Sequence, residues 1–120
     1  MPRCGIDMIE VQRVEDGITR FGDKFFSRLF TDGERQDCMG QPHRLAARIA
    51  AKEAVAKALG TGIGDVKWVE IEIRVDNPRN RPELRLHGAA AKHSSELGLT
   101  AWDISLTHTR EYASAIAIAI

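Results

Sequence analysis

The run from His43 to Leu59 constrains this chain more than any other segment: it is rich in alanine, contains neither proline nor glycine, and stops at Gly60, a natural helix cap. Gly40-Gln41-Pro42 breaks the chain just before it. A helix of that length reaches roughly 25 Å. The other elements must therefore be laid across it. On a helical wheel started at Leu45, the residues Ile49, Ala56 and Leu59 share a face, yet Lys52 lands among them with Glu53 on its flank. Ionisable groups thus stand on the side a core would claim.

The remaining pattern is mixed. Ile6, Met8 and their neighbours read as a first strand, after which Val11, Val14, Ile18 and Phe21 recur at helical spacing. Phe25, Phe26, Leu29 and Phe30 extend that stripe past Gly22, and Thr31 with Glu34 has the form of a capping box opening a short helix. Val69, Ile71, Ile73 and Val75 alternate with Glu70, Glu72 and Arg74, the clearest half-buried strand pattern present. Asp76 to Pro82 turns the chain toward a partner strand at Leu84 and Leu86, and Ala89 to Leu97 is a short helix closed by Gly98. Trp102, Ile104 and Leu106 alternate again, His108 to Arg110 reverses the chain, and Tyr112 to Ile120 is apolar on both faces, so it needs cover on both. The expectation is an α+β fold, one domain over residues 1–120, with a largely antiparallel β-sheet against a long central helix.

Lys plus Arg and Asp plus Glu both number 17, which removes the global positive field expected of a nucleic-acid binder. No segment is long and apolar enough for a membrane span or a signal core, so a soluble cytoplasmic protein is expected. Cys4 and Cys38 lack the spacing of a zinc or redox motif and read as two reduced thiols. A chain this short buries only part of its apolar surface alone, which makes self-association plausible.

Two acids stand out. Asp7 sits between Ile6 and Met8 in a short strand, where alternation could equally turn it outward or let it make a strand-end hydrogen bond. Glu53 lies four residues before Lys57, an order that would give an exposed pair worth roughly 0.2 to 0.5 kcal/mol. Together the acids form a candidate divalent site, because magnesium takes few carboxylates and draws its other ligands from water and phosphates; manganese could replace it at oxygen ligands. Lys57 could then balance phosphate charge, and Arg48 on the same helix could add a fork of donors. Gly60-Thr61-Gly62 would let backbone amides approach an anion, or would simply cap the helix. Thr107 and His108 occupy the tip of the last hairpin, which could line a pocket or lie on the surface.

In this order the motifs Gly5-Ile6-Asp7-Met8-Ile9-Glu10-Val11, Arg48-Ile49-Ala50-Ala51-Lys52-Glu53-Ala54 with Lys57-Ala58-Leu59-Gly60-Thr61-Gly62, and Ser105 to Ala113 resemble the holo-acyl-carrier-protein synthases, over Gly5 to about Ile118. The resemblance implies a phosphopantetheinyl transferase. Asp7 and Glu53 would hold magnesium against the coenzyme A pyrophosphate, Lys57 and Arg48 would contact phosphates, and Gly60, Thr61, Gly62, Thr107 and His108 would shape the coenzyme A pocket. A serine of apo acyl carrier protein would attack the pantetheine-side phosphorus and release adenosine 3',5'-bisphosphate. Glu53, directly or through a water on the metal, would accept the serine proton, with His108 the weaker candidate. Family members of this length are similar in forming homotrimers with sites between subunits, which would cover the doubly apolar last strand. The carrier is acidic in such systems, and Arg13, Arg20, Lys24 and Arg28 recur at spacings of seven, four and four, one basic stripe if their helix is continuous. Arg3 and Cys4 stand where the family usually begins a glycine-apolar-glycine run, and Ile49 replaces the more usual aromatic.

Two other readings remain: a non-catalytic module that binds carrier or coenzyme A, and a metal-dependent phosphohydrolase that uses the same carboxylates with water as nucleophile.

Overall fold

The computed structural model describes all 120 residues. The chain runs β1 (Arg3–Glu10), α1 (Val11–Phe21), α2 (Asp23–Leu29), α3 (Asp32–Cys38), α4 (Pro42–Leu59), a 3-10 turn (Trp68–Glu70), β2 (Ile71–Arg74), β3 (Glu83–Leu86), α5 (Gly88–Glu96), β4 (Trp102–His108) and β5 (Tyr112–Ala119). All strand pairing is antiparallel. One sheet has the order β1-β5-β4 and the other joins β2 to β3. The α+β expectation holds, with the antiparallel pairing divided between two sheets.

The long helix α4 is the common wall of both hydrophobic clusters. Ala50, Ala51, Ala54 and Val55 meet Ile71, Ile73, Ile104, Ala115 and Ala117, while Leu45, Ala46 and Ile49 meet Val11, Val14, Phe30 and Ala113. The alanines matter because they let a strand come close. A Cβ built on Gly5 would collide with the carbonyl oxygen of Ala54, so β1 rests backbone to backbone on α4, a distance only glycine permits.

That approach decides the facing of β1, which alternation alone leaves open. Gly5, Asp7 and Ile9 face α4, whereas Ile6 and Met8 face outward and are 63% and 64% exposed. On β5, Ala113, Ala115, Ala117 and Ala119 are buried against the helix, and Ile116 and Ile118 stay exposed on the outer face. Ile6 lies directly opposite Ile116, so the two strands build one apolar outer patch that nothing in the protomer covers.

Other expectations need correction. Gly22, at φ 56°, ends α1, and α2 begins at Asp23, so Phe25, Phe26 and Leu29 belong to a separate helix and not to a longer α1. The strand expected over Val69 to Val75 shrinks to Ile71–Arg74. Its start is taken by the 3-10 turn, where the Glu70 carboxylate accepts the backbone N–H groups of Lys67 and Ala89 and draws the chain out of the ladder. Nor is that strand half-exposed: Glu72 is buried, held by the Thr31 hydroxyl at 2.6 Å and His87 at 3.0 Å. The Thr31 capping box is present, with the Glu34 N–H donating to Thr31 Oγ1 and the Thr31 N–H to Glu34 Oε1. Cys4 and Cys38 are free thiols, and burial pushes the Cys38 thiol up to about 11. No helix is long and apolar enough to cross a membrane.

Replacing Gly5 by valine should cost about 3 kcal/mol, the upper end of overpacking penalties, measured as a lower urea midpoint at unchanged slope. An unaltered midpoint would show that β1 can retreat from α4 freely.

Candidate active site

Strand β1 and helix α4 meet at a cleft of about 390 Å³ that Asp7 and Glu53 both line, with Ile49, Phe25, Leu29 and Trp68 as its apolar wall. Asp7 faces inward because it shares the Gly5 side of the strand. Glu53 stands on the flank of α4 that the two strands leave open. Lys57 does not form the exposed pair with Glu53 that its spacing allows. Its ammonium crosses to β1, donating to Asp7 Oδ1 at 3.2 Å and to the Ile6 carbonyl at 2.9 Å.

Lys57 pairs with Asp7, and Glu53 makes no ion pair. Burial first, and then the nearby Asp7 carboxylate, hold the Glu53 carboxyl above its usual range, against the pull of Lys57. Ionising Glu53 therefore costs the fold: the penalty is absent at pH below the ordinary carboxylate value and complete only above the raised folded value. No third Asp, Glu, His or Cys joins the pair to complete a protein-only metal cage. Two carboxylates sharing an open cleft, one of them discouraged from ionising by the other, are the donor set a hard divalent cation would relieve, with water and phosphate oxygens as its further ligands.

Arg48 is elsewhere. Five residues before Glu53, it lies about 140° away around the helix, whereas Lys57 lies about 40° away. It is 7% exposed, its Nε has no hydrogen-bond partner, and it lines a recess of about 530 Å³ with Arg44, Asn80 and His108. His108 stacks on His43 with ring centroids 4.7 Å apart. Burial, then His108 and Arg44, hold His43 below its usual range. Thr107 is exposed on β4 opposite Ser114. The expected site residues thus fall into two groups on two flanks of one protomer, Asp7, Glu53 and Lys57 in one and Arg48 and His108 in the other.

At the end of α4 the capping account of the glycine turn is realised. Gly60, at φ 77°, and Thr61 spend their N–H groups on the Lys57 and Ala56 carbonyls, leaving the Gly62 segment as the free part of the turn. Thr61 Oγ1 is buried without a partner, and Arg3 Nε donates to the Ala58 carbonyl at 2.6 Å with its guanidinium against Gly60.

The basic residues form no single stripe. Arg13 reaches the Asp7 cleft, Lys24 and Arg28 border an adjoining groove of about 650 Å³, and Arg20 sits over the Phe21 ring at 5.2 Å. The bend at Gly22 separates Arg13 and Arg20 on α1 from Lys24 and Arg28 on α2. His43 packs on His108, and Arg44, Asn80 and Trp68 line the recesses, none of them among the site residues expected from the sequence. The adjacent His43-Arg44 pair at the start of α4 was a visible signal; Asn80 and Trp68 gave none, because only the fold brings them to their recesses.

The chain matches the family model of the 4'-phosphopantetheinyl transferase superfamily over residues 3–117. It is 46% identical over 119 residues to the holo-[acyl-carrier-protein] synthase of Chlamydia trachomatis serovar L2, covering 96% of each chain. To the synthase of that name from Herpetosiphon aurantiacus it is 41% identical over 121 residues, covering 95% of this chain and 94% of the other. Its fold is similar to the holo-[acyl-carrier-protein] synthase of Neisseria meningitidis, with a TM-score of 0.88 at 32% identity over 98% of this chain and 97% of that one. The Helicobacter pylori enzyme, solved in complex with coenzyme A, also gives a TM-score of 0.88, at 27% identity over 98% and 99% of the two chains.

The charge balance of the cleft is testable without substrate. In carboxyl NMR titrations, Asp7→Asn should lower the Glu53 midpoint and Lys57→Met should raise it; no movement in either variant would mean the three groups do not share a cleft.

Proposed function

This chain belongs to the 4'-phosphopantetheinyl transferase superfamily, and on that footing we propose that it is a cytoplasmic holo-acyl-carrier-protein synthase that joins the phosphopantetheine of coenzyme A to a serine of apo acyl carrier protein. The observation that carries the reading is the pairing of Asp7 and Glu53 across one cleft with Lys57 bound to Asp7. In the reaction the serine Oγ forms a bond to the pantetheine-side phosphorus as the bond from that phosphorus to the bridging oxygen breaks, so adenosine 3',5'-bisphosphate leaves with the electron pair. Glu53, directly or through a water, takes the serine proton, because it would lie beside the reacting phosphate. Lys57 offsets charge growing on the phosphoryl oxygens. Asp7 and Glu53 would hold magnesium, or manganese in its place, which when bound supplies positive charge to the pyrophosphate oxygens.

Arg48 and His108, on the other flank, serve the same reaction from a neighbouring subunit. Their recess and the Asp7 cleft are different surfaces, so joining them is a head-to-tail contact, which closes only by forming a ring. A homotrimer is the ring proposed, and the exposed Ile6, Met8, Ile116 and Ile118 supply its apolar contact. Arg13, Lys24 and Arg28 around the open cleft and groove face the acidic carrier, where they chiefly speed encounter.

Mixed with coenzyme A, magnesium and apo carrier, the protein should raise the carrier mass by one phosphopantetheine. Coenzyme A consumed with the carrier unmodified would favour a phosphohydrolase, and binding without turnover a non-catalytic module. Glu53→Gln should fold normally and lose nearly all turnover; a near-normal rate would remove Glu53 from its role. Subunit sharing has its own measurement. Glu53→Gln and Arg48→Ala subunits, each weakly active alone, should recover about a quarter of wild-type activity when co-refolded in equal amounts, the statistical share of intact mixed sites. Absence of recovery in a confirmed mixed oligomer would place the whole site in one chain.

A further inference from the structure

Lys52 is the largest fully buried side chain of the molecule and no part of the chemistry above uses it. Its ammonium donates to Glu34 Oε1 at 2.7 Å, to the Trp68 carbonyl at 2.9 Å and to the Ile71 carbonyl at 2.8 Å, which exhausts its three hydrogens. Glu34 is equally buried, and its second oxygen accepts the Ile73 N–H at 2.9 Å. Such a pair is poorly explained by stability alone, since apolar residues of the same volume commonly serve a core as well or better.

What the pair holds is more telling. Trp68 lines both the Asp7–Glu53 cleft and the groove bordered by Lys24 and Arg28, as do Phe25 and Leu29, so these three side chains form the seam between the two. The backbone of Trp68 enters a single 3-10 turn after a stretch containing Gly62 and Gly64, a segment with little stiffness of its own. The Lys52 ammonium ties that turn to α4, one residue before Glu53. A single turn of the helix thus presents the proposed base and fixes the apolar wall beside it.

We propose that Lys52 is a positioning residue that sets Trp68 at the seam, and with it the geometry in which the carrier protein meets the site; this rests on the transferase reading given above. It touches no substrate. Glu34 is its counter-charge, and the two act as a unit that can be neutralised together.

Two variants test this: Lys52→Met combined with Glu34→Gln, which removes both charges at once, and Trp68→Ala, which leaves the pair intact. In each, the KM for carrier should rise about ten-fold, with kcat and the KM for coenzyme A within about three-fold of wild type. A purely structural role would instead lower the active fraction, appearing in kcat with both KM values unchanged, and that result would overturn the proposal. In a Trp102→Phe background, which leaves Trp68 as the only tryptophan, Lys52→Met/Glu34→Gln should make the emission more accessible to acrylamide quenching; unaltered quenching would also overturn it. Should the double variant fail to fold, wild-type kinetics in Trp68→Ala would be decisive against it. The quenching readout involves no substrate, so failure of the parent protein to modify any carrier would count against the transferase reading and not against Lys52.

Discussion

The contact of β1 with α4 at Gly5 governs the rest of the molecule. With the strand backbone resting on the Ala54 carbonyl, no side chain separates the two elements, and the next inward position, Asp7, falls beside the turn that carries Glu53 and Lys57. Any residue with a Cβ at position 5 would lift the strand and part the carboxylates. The alanines of α4 serve the same end: they give up apolar area per residue, at about 25 cal/mol for each square ångström, in exchange for close approach of backbone.

One helix holds several ionisable groups in different surroundings, and angle alone sorts them. Lys52 points into the core and is fully paired, Glu53 a third of a turn on borders the open cleft, Lys57 reaches across to β1, and Arg48 faces the opposite flank. Burial keeps Glu53 reluctant to ionise while its neighbour Lys52 stays bound to a carboxylate, so adjacent residues carry unlike duties. Proximity in sequence says little here; helical phase says nearly everything.

Phase is also why part of this site could be read from the chain. The Lys52 position among apolar residues, the Glu53 flank and the Thr31–Glu34 capping box all follow from local periodicity and survive in the fold. Arg48 could have been set apart from Glu53 on the same wheel, since its offset is a matter of counting. The orientation of Asp7 was undecided, because strand alternation gives two faces without saying which one a helix will occupy; the glycine at position 5 decides it. The shortened β2 had no local warning, since the carboxylate of Glu70 reaches the start of α5. Likewise the partner of Lys52 is 18 residues away, on a helix too short to have advertised its direction.

The same constraint shapes the outside of the molecule. Because β1 at Gly5 and the whole inner face of β5 present small residues to α4, large apolar side chains of these two strands stand on the outer face, as Ile6 and Met8 on one and Ile116 and Ile118 on the other. The alternation of alanine and isoleucine along β5 is then a division of labour, with methyl groups for close approach inside and large side chains for contact outside. A chain of 120 residues that spends its sheet in this way leaves much of its hydrophobic driving force unused in the isolated protomer. In the proposed ring that force would draw subunits together head to tail, so the packing of α4 on glycine and alanine would be the ultimate cause both of the carboxylate pair and of its need for a neighbour.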